Sequence, residues 1–135
     1  MGRMKNYLID TNTLIYHLAG SLSDRAFTKQ EGDFLDKIID SSFNISMVTK
    51  IEMLAKSTMS QQEESLIRDF LDKATIYFVN DEILEETILI RQLSKIKLPD
   101  AMIAATAKVN NFTLISRNEK DFGNISGLYF FNSFL

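Results

Sequence analysis

Short apolar runs alternate with amphipathic segments along the chain, and this alternation limits its possible folds most strongly. The segments between the runs have the periodicity of helices. Strands separated by helices favour a mainly parallel sheet that is covered by helices. The sequence therefore predicts an α/β domain with about five strands and about six or seven helices. The strands are expected at Tyr7–Ile9, Phe43–Met47, Ile76–Val79, Phe112–Ile115 and Leu128–Phe131.

The predicted helices fill most of the chain between these runs. Pro99 suits the first turn of a helix from Asp100 to about Asn110, because its missing N–H is not needed there. The polar segment Ser21–Gln30 predicts a loop or an irregular start of the next helix. The other helices are expected after Asp10, around Phe34–Ile39, from near Thr49, over Leu66–Ala74 and over Asp81–Lys97.

Composition excludes several classes of protein. The 135 residues are 45% hydrophobic and 24% charged, as in a globular protein, and we expect one domain over residues 1–135. The absence of cysteine excludes a disulfide scaffold, a cysteine zinc site and a thiol nucleophile. The single histidine, His17, is expected to be at the surface or partly packed. A net charge of −3 argues against a general nucleic-acid coat. No signal peptide or membrane span fits the sequence, which predicts a soluble, cytoplasmic protein.

Acidic residues lie where predicted strands end or helices begin. Asp10 comes directly after the first strand, Glu52 in the first turn of the helix after the second, and Asp100 in the first turn of a later helix. Asp121 lies in the loop after the fourth strand, and Asn118 precedes it by three residues. Ligands of open α/β sheets bind outside the carboxyl ends of the strands. We therefore expect these side chains to gather near one rim of the sheet.

Two interpretations of these acids remain open at this level. Acids near helix N-termini cap the helix and interact with its dipole, which is worth about 0.3–1 kcal/mol each. Alternatively, converging carboxylates repel each other, and a hard divalent cation such as Mg²⁺ or Mn²⁺ relieves that repulsion. Asp10 favours the second interpretation, because an acid that closes an apolar strand gains little from burial unless something pairs with it.

Four segments carry short motifs in a fixed order. They are Tyr7–Ile15 with Asp10-Thr11-Asn12, Ser46–Leu54 with Thr49 three residues before Glu52, Leu98–Ala107 with Pro99-Asp100, and Leu114–Phe122 with Ser116 and Asn118. In order and spacing, they resemble the motifs of PIN-domain ribonucleases, and most closely the VapC-type toxins of bacterial VapBC toxin–antitoxin modules. The family usually has Thr where this chain has Ser116. The resemblance covers nearly the whole chain.

This resemblance implies a PIN-like three-layer α/β domain over residues 1–135 and a Mg²⁺- or Mn²⁺-dependent endoribonuclease. Such an enzyme hydrolyses RNA phosphodiesters and leaves 5′-phosphate and 3′-hydroxyl ends. The acidic quartet would fall on Asp10, Glu52, Asp100 and Asp121, with Asp10 and Asp100 as the direct metal ligands.

Two further side chains would position the acids or the substrate. Either Asn118 or Asp121 could occupy the fourth acidic place. We assign the charge to Asp121, and to Asn118 a hydrogen bond that orients an acid or a phosphate. The hydroxyl of Thr11 would hold a carboxylate or a substrate oxygen, although a helix cap explains it as well.

The implied partners are an RNA such as tRNA or rRNA, a cognate antitoxin protein and a second copy in a homodimer. An RNA-binding surface needs cations, and these are available close to the last two motifs. They are Arg91, Lys95, Lys97, Arg117 and Lys120. An ordinary solvated helix face explains these residues equally well.

Three alternative functions fit parts of the sequence. A housekeeping RNA-processing PIN nuclease would share every motif but lack a neighbouring antitoxin gene. A receiver-like Mg²⁺-binding regulatory domain expects paired acids after the first strand, whereas Thr11 and Asn12 follow Asp10. A binding module without turnover is disfavoured, because the acidic quartet is intact.

Overall fold

Five strands of three residues each form the sheet layer of the part of the chain that the computed structural model describes, residues 6–20 and 29–132. Each lies within or overlaps a predicted apolar run, so the strand predictions are confirmed. The bounds are Tyr7–Ile9 (β1), Asn44–Ser46 (β2), Thr75–Tyr77 (β3), Thr113–Ile115 (β4) and Tyr129–Phe131 (β5).

All strand pairs in the described residues are parallel, but the hydrogen-bonded ladder is divided into two parts. The strands β1, β4 and β5 form one part in that order, and β2 and β3 form the other. The side chain of Asn44 connects them, because its amide donates a hydrogen bond to the carbonyl oxygen of Tyr7 at 3.0 Å. A buried side chain thus joins β2 to β1 where the backbone ladder is interrupted.

Seven helices lie in the described residues. The helix from Asp81 ends before the predicted Lys97, because Ser94 has extended backbone angles and its hydroxyl bonds the carbonyl of Ile90. Residues 21–28 of the predicted polar segment lie outside the described residues, whereas Lys29 and Gln30 begin a helix. The helices are Thr11–Gly20 (α1), Lys29–Ser41 (α2), Met47–Leu54 (α3), Gln61–Leu71 (α4), Asp81–Leu93 (α5), Leu98–Val109 (α6) and Glu119–Phe122 (α7).

Two hydrophobic clusters cover opposite faces of the sheet. Leu8 and Leu114 pack with core residues of α5 and α6, whereas Ile9 and Ile115 pack with core residues of α1, α2, α3 and α4. All four strand residues are fully buried. Successive side chains of a strand point to opposite faces, so these short strands supply both clusters. The predicted three-layer α/β arrangement is confirmed. Among the described helices, none has the length and apolar character needed to cross a membrane.

Candidate active site

Asp10 lies at the carboxyl end of β1 and is 4% exposed. Its Oδ1 accepts a hydrogen bond from the backbone N–H of Thr13 at 2.9 Å, which caps α1. Its Oδ2 accepts a hydrogen bond from the hydroxyl of Ser116, at the end of the neighbouring strand β4. Burial raises the pKa of Asp10, these hydrogen bonds lower it in part, and the charge of Glu52 raises it further. Capping therefore accounts for only one of the two carboxylate oxygens.

Glu52 reaches the same region from α3, but from its second turn. The prediction that Glu52 lies in the first turn is wrong, because α3 begins at Met47. The helix begins early because the hydroxyl of Ser46 accepts a hydrogen bond from the backbone N–H of Val48 at 3.1 Å. Helix capping consequently does not explain Glu52.

A chain of two hydroxyl groups holds Glu52. Thr11 Oγ1 donates a hydrogen bond to Glu52 Oε1 at 2.6 Å, and Thr49 Oγ1 lies 3.0 Å from Thr11 Oγ1. A hydroxyl has one proton and an ionised carboxylate only accepts, so Thr49 is the donor to Thr11. Both threonines are buried. The structure thus places Thr11 against a carboxylate.

Asp100 lies in the first turn of α6, with Pro99 beside it in that turn. Partial burial raises the pKa of Asp100 most, and the charges of Glu52, Asp10 and Asp121 raise it further. Lys97 lowers this pKa in part. Asp100 is therefore close enough to the other three acids of the predicted quartet for their charges to act on it, although the four come from separate segments of the chain.

Asp121 and Asn118 form the remaining part of the site. Asp121 was predicted to lie in a loop, and this prediction is wrong. It lies in the single turn of α7, which Asn118 caps. Asn118 Oδ1 accepts a hydrogen bond from the backbone N–H of Asp121 at 3.2 Å, and Asn118 Nδ2 donates one to Asp121 Oδ2 at 2.9 Å. Asn118 therefore fixes the carboxylate of Asp121, whose charge acts on Asp100.

The chain also matches a known protein family. The PIN domain model matches residues 7–128. The chain belongs to the PIN domain family. All four acids lie within the matched residues. A comparison with curated protein sequences finds no match.

Solved structures similar to this PIN domain include chains of toxin–antitoxin complexes. A chain of a toxin–antitoxin complex from Klebsiella pneumoniae is 29% identical, with a TM-score of 0.73, and the match covers 95% of this chain and 98% of that one. A chain of DNA-bound VapBC from Salmonella typhimurium is 20% identical, with a TM-score of 0.79, over 96% and 99% of the two chains. A chain of VapBC2 from Rickettsia felis, bound to a promoter DNA fragment, is 23% identical, with a TM-score of 0.75, over 93% and 97%. The last two support the fold alone.

The donor atoms of this PIN domain site fit a hard divalent cation. The candidate ligands are carboxylate oxygens, which Mg²⁺ and Mn²⁺ prefer. Over residues 6–20 and 29–132, no three Asp, Glu or His side chains are grouped so that they could hold a metal ion together. A cation at this site would therefore have one or two carboxylate ligands and keep several of its waters, as Mg²⁺ usually does.

The acids are not neutralised by ion pairs within the described part of the PIN domain. The ion pairs there join His17 to Asp36, Arg68 to Glu64 and Lys108 to Glu86. Among the described residues, no ion pair offsets the repulsion between these carboxylates, and cation binding would relieve it.

Sequence analysis named Ser116 and Thr49 as members of the motifs but assigned neither of them a role in the site. Ser116 and Thr49 are fully buried. Ser116 forms a hydrogen bond with the acid Asp10, and Thr49 forms one with Thr11, which in turn bonds Glu52. The strand register offers a signal for Ser116: Ile9 pairs with Ile115, so the next residues, Asp10 and Ser116, are neighbours at the strand ends. Thr49 lies nearly one helical turn before Glu52, a spacing that puts both on one face of α3.

Proposed function

We propose that this PIN domain is a metal-dependent endoribonuclease that acts as the toxin of a type II, VapC-like toxin–antitoxin system. The main support is the set of hydrogen bonds that hold three acids of the quartet in place: Ser116 to Asp10, Thr11 to Glu52 and Asn118 to Asp121. Clustered carboxylates are costly for a stable fold alone, but they suit a site for a divalent cation.

Asp10 and Asp100 are the proposed ligands of Mg²⁺ or Mn²⁺. The hydrogen bonds from Ser116 and Thr13 hold Asp10 in one orientation, so its carboxylate needs little rearrangement on binding. The bound ion would act as a Lewis acid that activates water and stabilises the leaving oxygen of the phosphodiester.

Glu52 is the proposed proton acceptor for the attacking water. The hydroxyl of Thr11 occupies one of its oxygens, so the carboxylate is oriented before substrate arrives. Asp121, fixed by Asn118, would complete the negative site, and Thr11 and Asn118 would act as positioning residues.

The proposed partners are RNA, a cognate antitoxin and a second copy of the chain, and the proposed location is the cytoplasm. The antitoxin proposal draws on the chain of the toxin–antitoxin complex from Klebsiella pneumoniae. The match covers 95% of the present chain. An acidic site also suits an inhibitor that inserts Arg or Lys side chains.

Conditional expression in a bacterial host tests this proposal. The wild-type protein should arrest growth and generate new RNA ends with 5′-phosphate, and co-expression of the antitoxin should restore growth. Asp10→Asn, which removes a proposed metal ligand, should neither arrest growth nor generate new RNA ends. Unimpaired growth with discrete cleavage of precursor RNA would instead identify a housekeeping PIN nuclease.

A further inference from the structure

The guanidinium of Arg117 lies over the ring of Tyr16, with Cζ 4.6 Å from the ring centroid. This distance is within the range of a cation–π interaction. Arg117 lies between Ser116, which bonds Asp10, and Asn118, which bonds Asp121. Tyr16 lies about one and a half turns into α1, the helix that begins directly after Asp10. The backbone therefore anchors both members of the pair to the acidic site.

The pair presents planar groups and a positive charge to solvent. The Tyr16 side chain is 43% exposed although it contacts Arg117, and Arg117 is also exposed. Contact with the ring restricts the guanidinium before any ligand arrives. This preorganisation reduces the conformational entropy that arginine loses when it binds a phosphate.

The chemistry of the pair fits a nucleotide of single-stranded RNA. A guanidinium recognises a phosphate through paired N–H groups, and aromatic rings and guanidinium planes stack on unpaired bases. The carboxylates of the acidic site repel phosphates, so a polyanion needs a fixed cation on its path to them.

We propose that Tyr16 and Arg117 form a subsite that binds a nucleotide of single-stranded RNA adjacent to the phosphodiester at the acidic site. This inference rests on the proposed function, since it assumes that RNA is the substrate. It assigns the phosphate contact to Arg117 and the stacking contact to Tyr16.

Fluorescence anisotropy with a labelled, mixed-sequence 20-nucleotide single-stranded RNA tests the subsite. The titrations use the full chain with Asp100→Asn, which limits cleavage, at fixed Mg²⁺ and several salt concentrations. Arg117→Ala should weaken binding about tenfold and reduce the slope of log affinity against log salt by about 0.7, the value for one lost phosphate contact. Tyr16→Leu should weaken binding about fivefold with an unchanged slope, because the charge remains. Tyr16→Phe should recover most of that loss.

The matched control is Arg68→Ala, which removes another exposed arginine, paired with Glu64 on α4. It should leave the affinity within about twofold and the slope unchanged. Equal effects of Arg117→Ala and Arg68→Ala would overturn the subsite, because net charge alone would explain them. Melting curves of each variant establish that the protein is folded.

Steady-state cleavage separates the subsite from the nuclease proposal. Arg117→Ala should raise KM about tenfold and change kcat less than twofold. Cleavage with unchanged KM would refute the subsite and leave the nuclease in place. RNA that binds through the pair but is never cut would refute the nuclease and leave the subsite. A folded protein that neither binds nor cuts RNA would overturn both.

Discussion

The hydroxyl of Ser116 donates a hydrogen bond to the buried carboxylate of Asp10 across the ends of two neighbouring parallel strands. The same hydroxyl accepts a hydrogen bond from the backbone N–H of Asn118 at 3.0 Å. One side chain thus links the acid at the end of β1 to the cap of the helix that carries Asp121. The link to Asp10 depends on the pairing of β1 with β4, whereas the link to Asn118 is local.

Removal of the Ser116 hydroxyl should therefore weaken both stability and the proposed activity. Ser116→Ala leaves Asp10 without one donor and Asn118 N–H without its acceptor, so we expect a loss of about 1–3 kcal/mol in the free energy of unfolding. Urea denaturation at pH 7 measures it. Ser116→Thr retains the hydroxyl and should retain cleavage. Equal stability of Ser116→Ala and wild type would show that neither hydrogen bond matters.

Loss of the Thr11 hydroxyl should reduce turnover more than substrate binding. Thr11→Val keeps the shape but removes the donor to Glu52, and we expect kcat to fall roughly tenfold with little change in KM. Thr49→Val should have a smaller effect in the same direction, because it acts through Thr11. Steady-state kinetics at saturating Mg²⁺ provide the comparison, with Thr11→Ser as the variant that retains the hydroxyl. A change confined to KM would contradict the assigned role.

Asp100 should destabilise the protein at neutral pH when no cation is bound. Its pKa in the folded protein is raised above the ordinary 3.8, mainly by burial and then by the charges of Glu52, Asp10 and Asp121. The folded state therefore holds more protons than the unfolded state between these two pKa values, and stability falls as pH rises through that window. Asp100→Asn should raise the melting temperature of the metal-free protein at pH 7, and the difference should vanish below about pH 4.

An acid of similar position controls for helix effects in that experiment. Asp81 also lies in the first turn of its helix, α5, but is exposed. Asp81→Asn removes a favourable interaction with the helix dipole, so it should lower the melting temperature slightly or leave it unchanged. A rise with Asp81→Asn equal to that with Asp100→Asn would show that clustered carboxylates are not the cause.

The chain's response to Mg²⁺ provides a related prediction. Mg²⁺ should raise the melting temperature of the wild type more than that of Asp100→Asn, because binding to the folded state alone stabilises it and the variant has lost a proposed ligand. Thermal denaturation of both proteins without Mg²⁺, and then at Mg²⁺ concentrations raised in tenfold steps, measures this difference. Equal shifts for both proteins would remove Asp100 from the cation site.

Much of the fold could be predicted from sequence periodicity, because the buried apolar residues of each strand or helix recur with the period of that element. The two corrections within the site concern helix starts. Ser46 caps α3, which begins at Met47, two residues before the expected start near Thr49, and this moves Glu52 into the second turn. Asn118 caps a helix of only four residues, too short to show a periodic pattern, so Asp121 was expected in a loop.

Contacts between distant segments could not be predicted from local patterns. The bond between Asn44 and Tyr7 replaces a stretch of backbone ladder, and no local pattern in the sequence distinguishes Asn44 from a turn residue. The contact between Arg117 and Tyr16 likewise requires the packing of α1 beside the end of β4. The acids were predicted from their positions and from the family resemblance, and Thr11 and Asn118 were predicted to orient an acid. The roles of Ser116 and Thr49 were seen only in the structure.

The most direct test of the central claim is cleavage of a pool of tRNA and rRNA by the purified protein with Mg²⁺ or Mn²⁺. Asp10→Asn and an EDTA-treated sample are measured in parallel. Arg68→Ala serves as the control for an unrelated surface change. We predict metal-dependent cleavage by the wild type and Arg68→Ala, and its loss in Asp10→Asn and in EDTA. Undiminished cleavage by folded Asp10→Asn, or no cleavage by the folded, antitoxin-free wild type, would contradict a metal-dependent ribonuclease site at these carboxylates.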